Sequence, residues 1–421
     1  MDITVAHRRL TLTVPLVTAH GPIVERNLTE VAVSKGHSTG WGEAAPLPGF
    51  RLETHEDAVA ALQRWADTGE RPEERSAPSA AAAVATAETT LEAARSGRSL
   101  ALHLGGRPPT NRPLAVQALV GGSDPDDVRR ACTVAVAGGH RAIKLKVGAT
   151  TPDVDIGRIR AARAAIGGDL LLRLDANQGW DLDTAIRVLG AVNDLDIDVV
   201  EEPTPDLNDF PEIARRTGLR LGADETLTDA DAVTHVLDHE WIDTIVVKPA
   251  VLGGPLRTAA LIRTALERGR RVVVSSFIDG PIGLRATRDL AIALVPDGVH
   301  GIGTATLFDD ELPVDVTPIA GLLHPDPALL ELPSTAPLVR TTSTIAGAET
   351  PTGLLAQHRV ASDRWACLRV LAGEVRFHWE IGGLHRTLAA NDRQVIPPDV
   401  THHIEPAPSS SFEIDFHRWE P

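Results

Sequence analysis

The chain has 421 residues, is 43% hydrophobic and carries 57 acidic against 41 basic residues, a formal charge of −16. This is the composition of a globular protein of two or three domains, which excludes wholesale disorder. The acidic surface repels phosphate backbones, no apolar run reaches the ~18 residues of a membrane span, and Cys132 and Cys367 alone make neither a disulfide framework nor a thiolate zinc site. No nucleic-acid or membrane partner is therefore expected. The N-terminus lacks a basic segment followed by an apolar one, so the expected location is cytoplasmic.

Residues 1–105 read as a mixed capping domain. Residues 10–17 and 28–33 alternate as strands do, Gly40-Trp41-Gly42-Glu43 and Pro46–Phe50 carry loop residues, and 55–67 and 78–96 read as helices, the second Ala-rich. From 106 to 325 short apolar runs recur, each followed by a helical segment: Leu114–Val120, Ala142–Val147, Leu171–Leu174, Ile197–Val200, Leu219–Gly222, Thr244–Val247, Val272–Val274 and Val299–Ile302. Such a βα repeat builds a closed barrel or an open doubly wound sheet, and the glycine fingerprints of nucleotide-binding open sheets are absent. Residues 326–350, rich in Pro, Thr, Ser and Ala, read as a linker. Residues 351–421 return to short alternating strands and hold six of the 16 histidines, a small all-β domain.

The basic residues carry the functional signal. Only four are lysine (Lys35, Lys144, Lys146 and Lys248), and the rest are arginine. Arginine replaces lysine in a surface ion pair but not where a proton must be given up. Three of the four lysines fall at the ends of apolar runs, in series with Asp175, Glu201 and Asp224. One charged group per βα unit, at the C-terminal end of its strand, brings all of them to one rim of a barrel. Three converging carboxylates need a cation, and an all-oxygen donor set suits Mg²⁺, with Mn²⁺ as the alternative. Lys144 and Lys146 share one strand face, and two neighbouring ammonium groups are expected to depress a lysine pKa and so prepare a base. Lys248 is expected across the mouth. The chemistry implied is proton abstraction beside a substrate carboxylate, on a small molecule. Asn177 and Glu225 are expected to support the ligands, and Ser275 and Ser276, at the end of a run, to bind the substrate. Trp180 and Trp241 are expected to be core packing, and Cys132 buried.

The motifs Lys144–Lys146, Asp175–Asn177, Glu201–Pro203, Asp224-Glu225 and Lys248-Pro249 together resemble the enolase superfamily, in its muconate-lactonizing subgroup. The resemblance spans residues 1–325 and implies a (β/α)7β barrel beneath an α+β capping domain. It further implies Asp175, Glu201 and Asp224 as metal ligands, Lys146 as base, Lys144 as its tuner, and Lys248 as enolate stabiliser or second base. Gly40–Phe50, Ser275–Gly283 and His300–Thr304 are most similar to the o-succinylbenzoate synthase branch, which implies a carbon–oxygen lyase reaction and a substrate-binding Asp279. The family usually has Glu at the position of Asp279 and Ser or Thr at Gly280. N-acylamino-acid racemases and dipeptide epimerases share the same metal and lysine residues and are the alternative. Residues 351–421 are similar to a small cupin-like family also found joined to tellurite-resistance methyltransferases, through Gly353-Leu354-Leu355, His358, Trp365, Val370–Glu374 and Pro397-Pro398 ahead of His402. That resemblance implies a binding or sensing module, with His358 and His402 as candidate ligands of a transition metal.

Overall fold

Alternating segments at the N-terminus pair as an antiparallel sheet in the order β1 (Asp2–Thr18), β2 (Gly21–Lys35), β3 (Ser38–Ala44). β1 and β2 run well beyond the apolar alternation because their ladder continues through residues with little burial, from Asp2↔Ser34 to Thr18↔Gly21. Helix α1 (His55–Thr68) starts at a reciprocal cap between Thr54 and Asp57, and α2 (Pro78–Arg95) has Pro78 in its first turn and the Glu53 carboxylate on the N–H groups of Ser79 and Ala80. The Gly-Trp-Gly segment, read from sequence as a loop, is strand β3. Its glycines serve close approach rather than a turn: a Cβ on Gly40 would lie 2.0 Å from Ala87 O, and one on Gly42 1.9 Å from Ala83 O. The Ala-rich face of α2 therefore rests directly on the backbone of β3. These coordinates are a computed structural model that describes residues 2–18, 21–47, 53–106, 113–227, 230–324, 330, 332, 336–380 and 384–418. Pro48, Gly49 and Phe50 of the cap motif lie outside the described residues.

After a short helix α3 (Leu100–His103), eight strand positions alternate with seven helices: β4 (Leu114–Val116) continuing as β5 (Ala118–Val120), α4 (Pro125–Ala137), β6 (Ala142–Lys146), α5 (Pro152–Ile166), β7 (Leu171–Asp175), α6 (Leu182–Gly190), β8 (Ile197–Glu201), α7 (Phe210–Thr217), β9 (Leu221–Ala223), α8 (Ala230–Asp238), β10 (Ile242–Val247), α9 (Gly254–Glu267), β11 (Arg271–Val274), α10 (Pro281–Leu294) and β12 (Val299–His300). The strands from β5 to β11 pair in sequence order, all in parallel. Closure comes from β12, which pairs in parallel with β4 and meets β11 through the Ser275↔Gly301 bridge. His300 secures this seam: fully buried, it accepts the Val274 N–H on Nδ1 and bonds Val295 O through Nε2. The result is the (β/α)7β barrel. Cys132 is buried in α4 as expected, whereas Trp241 is only half-buried, with the Arg215 guanidinium 5.6 Å over its ring.

The barrel and its cap form one compact unit, Met1–Asp310, and Glu311–Pro421 forms a second. The second unit holds β13 (Leu322–Leu323), β14 (Leu338–Thr341), β15 (Ile345–Ala346), α11 (Thr352–Leu355), β16 (Arg364–Ala372), β17 (Glu374–Trp379), β18 (Leu384–Ala389), β19 (Arg393–Ile396), β20 (His402–Pro406) and β21 (Ser411–Arg418). Two antiparallel sheets, β14-β21-β16-β19 and β18-β17-β20, enclose a core built on Trp365, Phe377, Trp379 and Phe412. β14 and β15 lie inside the segment read as a linker and pair with β21, so this stretch contributes to the sheet.

Candidate active site

The parallel strands deliver their C-terminal residues to one end of the barrel: Lys146 closes β6, Asp175 β7 and Glu201 β8, while Asp224 follows β9, Lys248 follows β10 and Ser275 follows β11. One carboxylate oxygen from each of Asp175, Glu201 and Asp224 lies within 4.8 Å of the other two, and all three residues are buried. Lys144 Nζ donates to Glu201 Oε2 at 2.5 Å, and lies 2.7 Å from Asp175 Oδ2 and 4.0 Å from Asp224 Oδ2. Lys146 Nζ donates to Asp175 Oδ2 and Asn177 Oδ1, both at 2.7 Å. Lys248, four strands round the barrel, donates to Asp224 Oδ1, with its Nζ 6.0 Å from the centre of the Phe277 ring.

The electrostatics follow from this crowding. Burial lowers the affinity of Lys144 for its proton, but Asp175, Glu201 and Asp224 outweigh it and hold the ammonium well above the ordinary lysine value. The depression expected from two adjacent ammonium groups is therefore absent at Lys144, because carboxylates outnumber neighbouring cations. Burial opposes ionisation of Asp175, yet Lys144 and Lys146 hold its carboxyl below the usual range. Glu201 is pushed up by burial, with Lys144 pulling down and Asp175 and Asp224 adding to the rise. Its Oε1 is buried without a hydrogen-bond partner. An orphaned carboxylate oxygen beside two other carboxylates is what a hard divalent cation satisfies, so the donor set fits Mg²⁺.

The backbone around the site is pinned by residues that motif reading passes over. Glu202, beside Glu201, accepts the N–H groups of Asp224 at 2.8 Å and Thr226 at 2.9 Å, and so fixes the turn that presents Asp224. Asn177 Nδ2 donates to Glu225 Oε1 at 2.7 Å. Burial first, then Asp224 and Asp175, push the Glu225 carboxyl up to about 8. Trp180, expected as packing, is buried and donates its indole N–H to Asp155 at 3.2 Å. Asp155 in turn holds Arg158, whose Nη2 grips Lys146 O at 2.7 Å. Such a chain of contacts fixes the backbone of Lys146.

The Ser-Ser segment and the cap meet at the same end. Ser276 Oγ lies 2.7 Å from Thr304 Oγ1, and Ser275 Oγ donates to Gly301 O at 3.2 Å. Asp279 is 1% exposed and accepts the Phe277 N–H at 3.0 Å, so its carboxylate holds its own loop. Arg26, buried in β2, clamps Ala45 O and Pro46 O of the cap to Ile278 O of the barrel. In the second unit, His358 and His402 come together with ring centroids 4.2 Å apart, each with Nδ1 on a nearby backbone carbonyl.

Three family patterns cover this chain: the MenC N-terminal domain over residues 3–91, the enolase C-terminal domain-like family over 126–327 and the TehB-like domain over 340–414. The o-succinylbenzoate synthase of Yersinia enterocolitica is 31% identical over 300 residues, 70% of this chain and 87% of that protein. The chain belongs to the enolase superfamily. Its relatives place it in the o-succinylbenzoate synthase branch, as an enzyme of the lyase type. The Thermobifida fusca o-succinylbenzoate synthase is 33% identical over 209 residues, 49% of this chain and 64% of that relative. Among solved structures, the L-Ala-D/L-Glu epimerase of Bacillus subtilis superposes with a TM-score of 0.69 at 23% identity, over 74% of this chain and 92% of its own. The dipeptide epimerase of Enterococcus faecalis gives 0.69 at 22%, over 77% and 99%. At that identity the superpositions speak for the fold.

Proposed function

We propose that the barrel carries out a Mg²⁺-dependent dehydration, converting 2-succinyl-6-hydroxy-2,4-cyclohexadiene-1-carboxylate to 2-succinylbenzoate in menaquinone biosynthesis, in the cytoplasm. The observation that carries this reading is the ring of lysines round the carboxylate trio, in a chain whose relatives along 87% of a synthase's length bear that activity. Asp175, Glu201 and Asp224 would hold the Mg²⁺, or Mn²⁺ in its place. When bound, the cation supplies Lewis-acid stabilisation of the negative charge that builds on the substrate carboxylate as the neighbouring C–H bond breaks.

The remaining work falls to the side chains. Lys146 as the free amine takes the proton α to the carboxylate. As the ammonium it returns that proton to the departing hydroxyl on the same face, so a C–H and a C–O bond break and one water leaves. Lys144 sets the charge around Lys146, and Lys248 offsets anionic charge from the opposite side. The hydroxyls of Ser275 and Ser276 bind a polar group of the substrate, and Asp279 contributes by shaping the loop that carries them.

Lysines on two sides also suit racemisation, in which one amine removes a proton and the other returns it to the opposite face, on an N-acyl amino acid or dipeptide. A side-by-side assay decides between them. Loss of the diene absorbance should proceed with a far higher kcat/KM than epimerisation of N-succinyl amino acids or L-Ala-L-Glu. Faster epimerisation would overturn the synthase reading.

A further inference from the structure

The second unit carries a cluster that the barrel chemistry leaves unused. His378 on β17 and His403 on β20 are register partners. Phe377, Trp379, His402 and Ile404 alternate with them and are buried, so His378, His403 and Glu405 share the outward face of the sheet. The two imidazoles stack with centroids 4.3 Å apart and planes 4° apart. Glu405 reaches both, with Oε2 3.3 Å from His378 Nε2 and Oε1 3.9 Å from His403 Nε2. His403 Nδ1 bonds the Glu380 carboxylate, which puts the ring proton on Nδ1 and leaves the Nε2 lone pair beside Glu405. His378 Nε2 is enclosed and makes no hydrogen bond, its contact with Glu405 being an ion-pair approach only. His385 flanks His378 at 5.9 Å, and Arg376 lies 3.7 Å from Glu405.

We propose that His378, His403 and Glu405 form a binding site for one divalent transition ion, with Glu380 as the positioning residue of His403. One ligand atom from each of the three lies within 4.8 Å of the others. Two imidazole nitrogens and one carboxylate select ions of borderline softness such as Zn²⁺, Ni²⁺ or Co²⁺ over Mg²⁺, the reverse of the all-oxygen set in the barrel. An exposed His–Glu ion pair contributes little by itself, whereas a shared cation would engage both imidazoles and the carboxylate together. The site is distinct from His358 and His402, a pair that belongs to no such three-ligand group among the described residues.

The test titrates Zn²⁺ calorimetrically into the full-length chain, stripped with chelator and held at saturating MgCl₂ so that the barrel carboxylates are occupied. His378→Gln with His403→Gln should remove one equivalent of Zn²⁺ while Mg²⁺-dependent turnover and the metal-free melting temperature stay unchanged. Glu405→Gln should weaken Zn²⁺ binding, and Glu380→Gln should weaken it roughly 10–100-fold, the usual effect of losing a group that orients a ligand histidine. Unchanged Zn²⁺ binding in the double variant, affinity indifferent to both Glu405→Gln and Glu380→Gln, or loss of the equivalent in His358→Gln instead, would overturn the assignment.

Discussion

Glu43 is the penultimate residue of β3, and its carboxyl sits beneath the first turn of α10, accepting the N–H of Gly280 at 2.6 Å and of Ile282 at 3.3 Å. The charged groups facing it are Asp279, Arg26 and Glu30. Burial first, and Asp279 second, push its pKa from 4.5 up to about 8. A carboxyl that holds its proton more tightly when folded adds stability that is complete below the unfolded value. That stability drains away as pH climbs through the window from 4.5 to about 8, and is level above it. The difference between the two plateaus is at most on the order of 5 kcal/mol. Glu43→Gln removes the ionisation while keeping a carbonyl oxygen for the Gly280 N–H. The variant should therefore gain on the wild type with rising pH, by up to roughly 10 °C in melting temperature between pH 5 and pH 9 for a unit of this size. Thermal unfolding followed by far-UV circular dichroism across that range measures it. Asp279→Asn should end the decline at lower pH and make it smaller, since Glu43 then loses the neighbouring carboxylate that raises its pKa. A melting difference between Glu43→Gln and wild type that is flat from pH 5 to 9 would refute a buried, protonated Glu43.

Three further outcomes bear on the site and the cap. Lys146→Arg should nearly abolish turnover with an unchanged melting temperature, because guanidinium cannot accept a proton at neutral pH; more than a tenth of wild-type kcat would contradict Lys146 as the base. Asp224→Asn should raise the Mg²⁺ concentration for half-maximal activity at least several-fold, and an unchanged activation curve would remove it from the ligand set. Gly42→Ala sets a methyl 1.9 Å from Ala83 O, forcing α2 off β3, and should cost about 1–3 kcal/mol in urea unfolding.

The meeting of carboxylates and lysines at one end of the barrel is legible because parallel strands convert a sequence period into a place: each charged run-end from Lys144 to Lys248 has one position it can occupy. What stayed hidden depends on long-range approach. Gly40 and Gly42 look like loop residues until α2, more than 40 residues on, is laid against them. Glu201 and Glu202 are adjacent acids that face opposite ways, Glu201 into the trio and Glu202, at a positive φ of 39°, to the Asp224 backbone, and sequence does not say which is which. Trp180 reads as apolar filling because its partner Asp155 lies on the preceding helix. The His378–His403 stack requires the strand register, which histidine spacing does not reveal.

The same reasoning explains why arginine fills the barrel interior elsewhere. Arg173 on β7 reaches Gln117 Oε1 and Val299 O, both at 2.8 Å on strands that are not its neighbours, so its guanidinium crosses the interior. Its Nε also donates to Asp198 Oδ2 at 2.8 Å, and Arg271 Nη1 takes the other oxygen at 2.7 Å. Asp198 is available because the β7–β8 register slips there: Leu172 pairs with Ile197 and Arg173 with Val199, leaving the aspartate as the extra residue of a bulge. A planar fork with fixed donors serves three acceptors at once, and a lysine ammonium on a flexible stem does not. Arg173→Lys keeps the charge but leaves a buried acceptor unmet, which costs about 1–3 kcal/mol. Urea unfolding of this variant should show that loss while kcat per folded molecule stays near wild type, since no proton moves at this end. Lys144→Arg also keeps the charge but should lose activity, because a guanidinium is too large for the space in which the ammonium touches Glu201 and Asp175 at 2.5 and 2.7 Å. Equal stability of Arg173→Lys and wild type would show that this interior needs only a positive charge and not the fork.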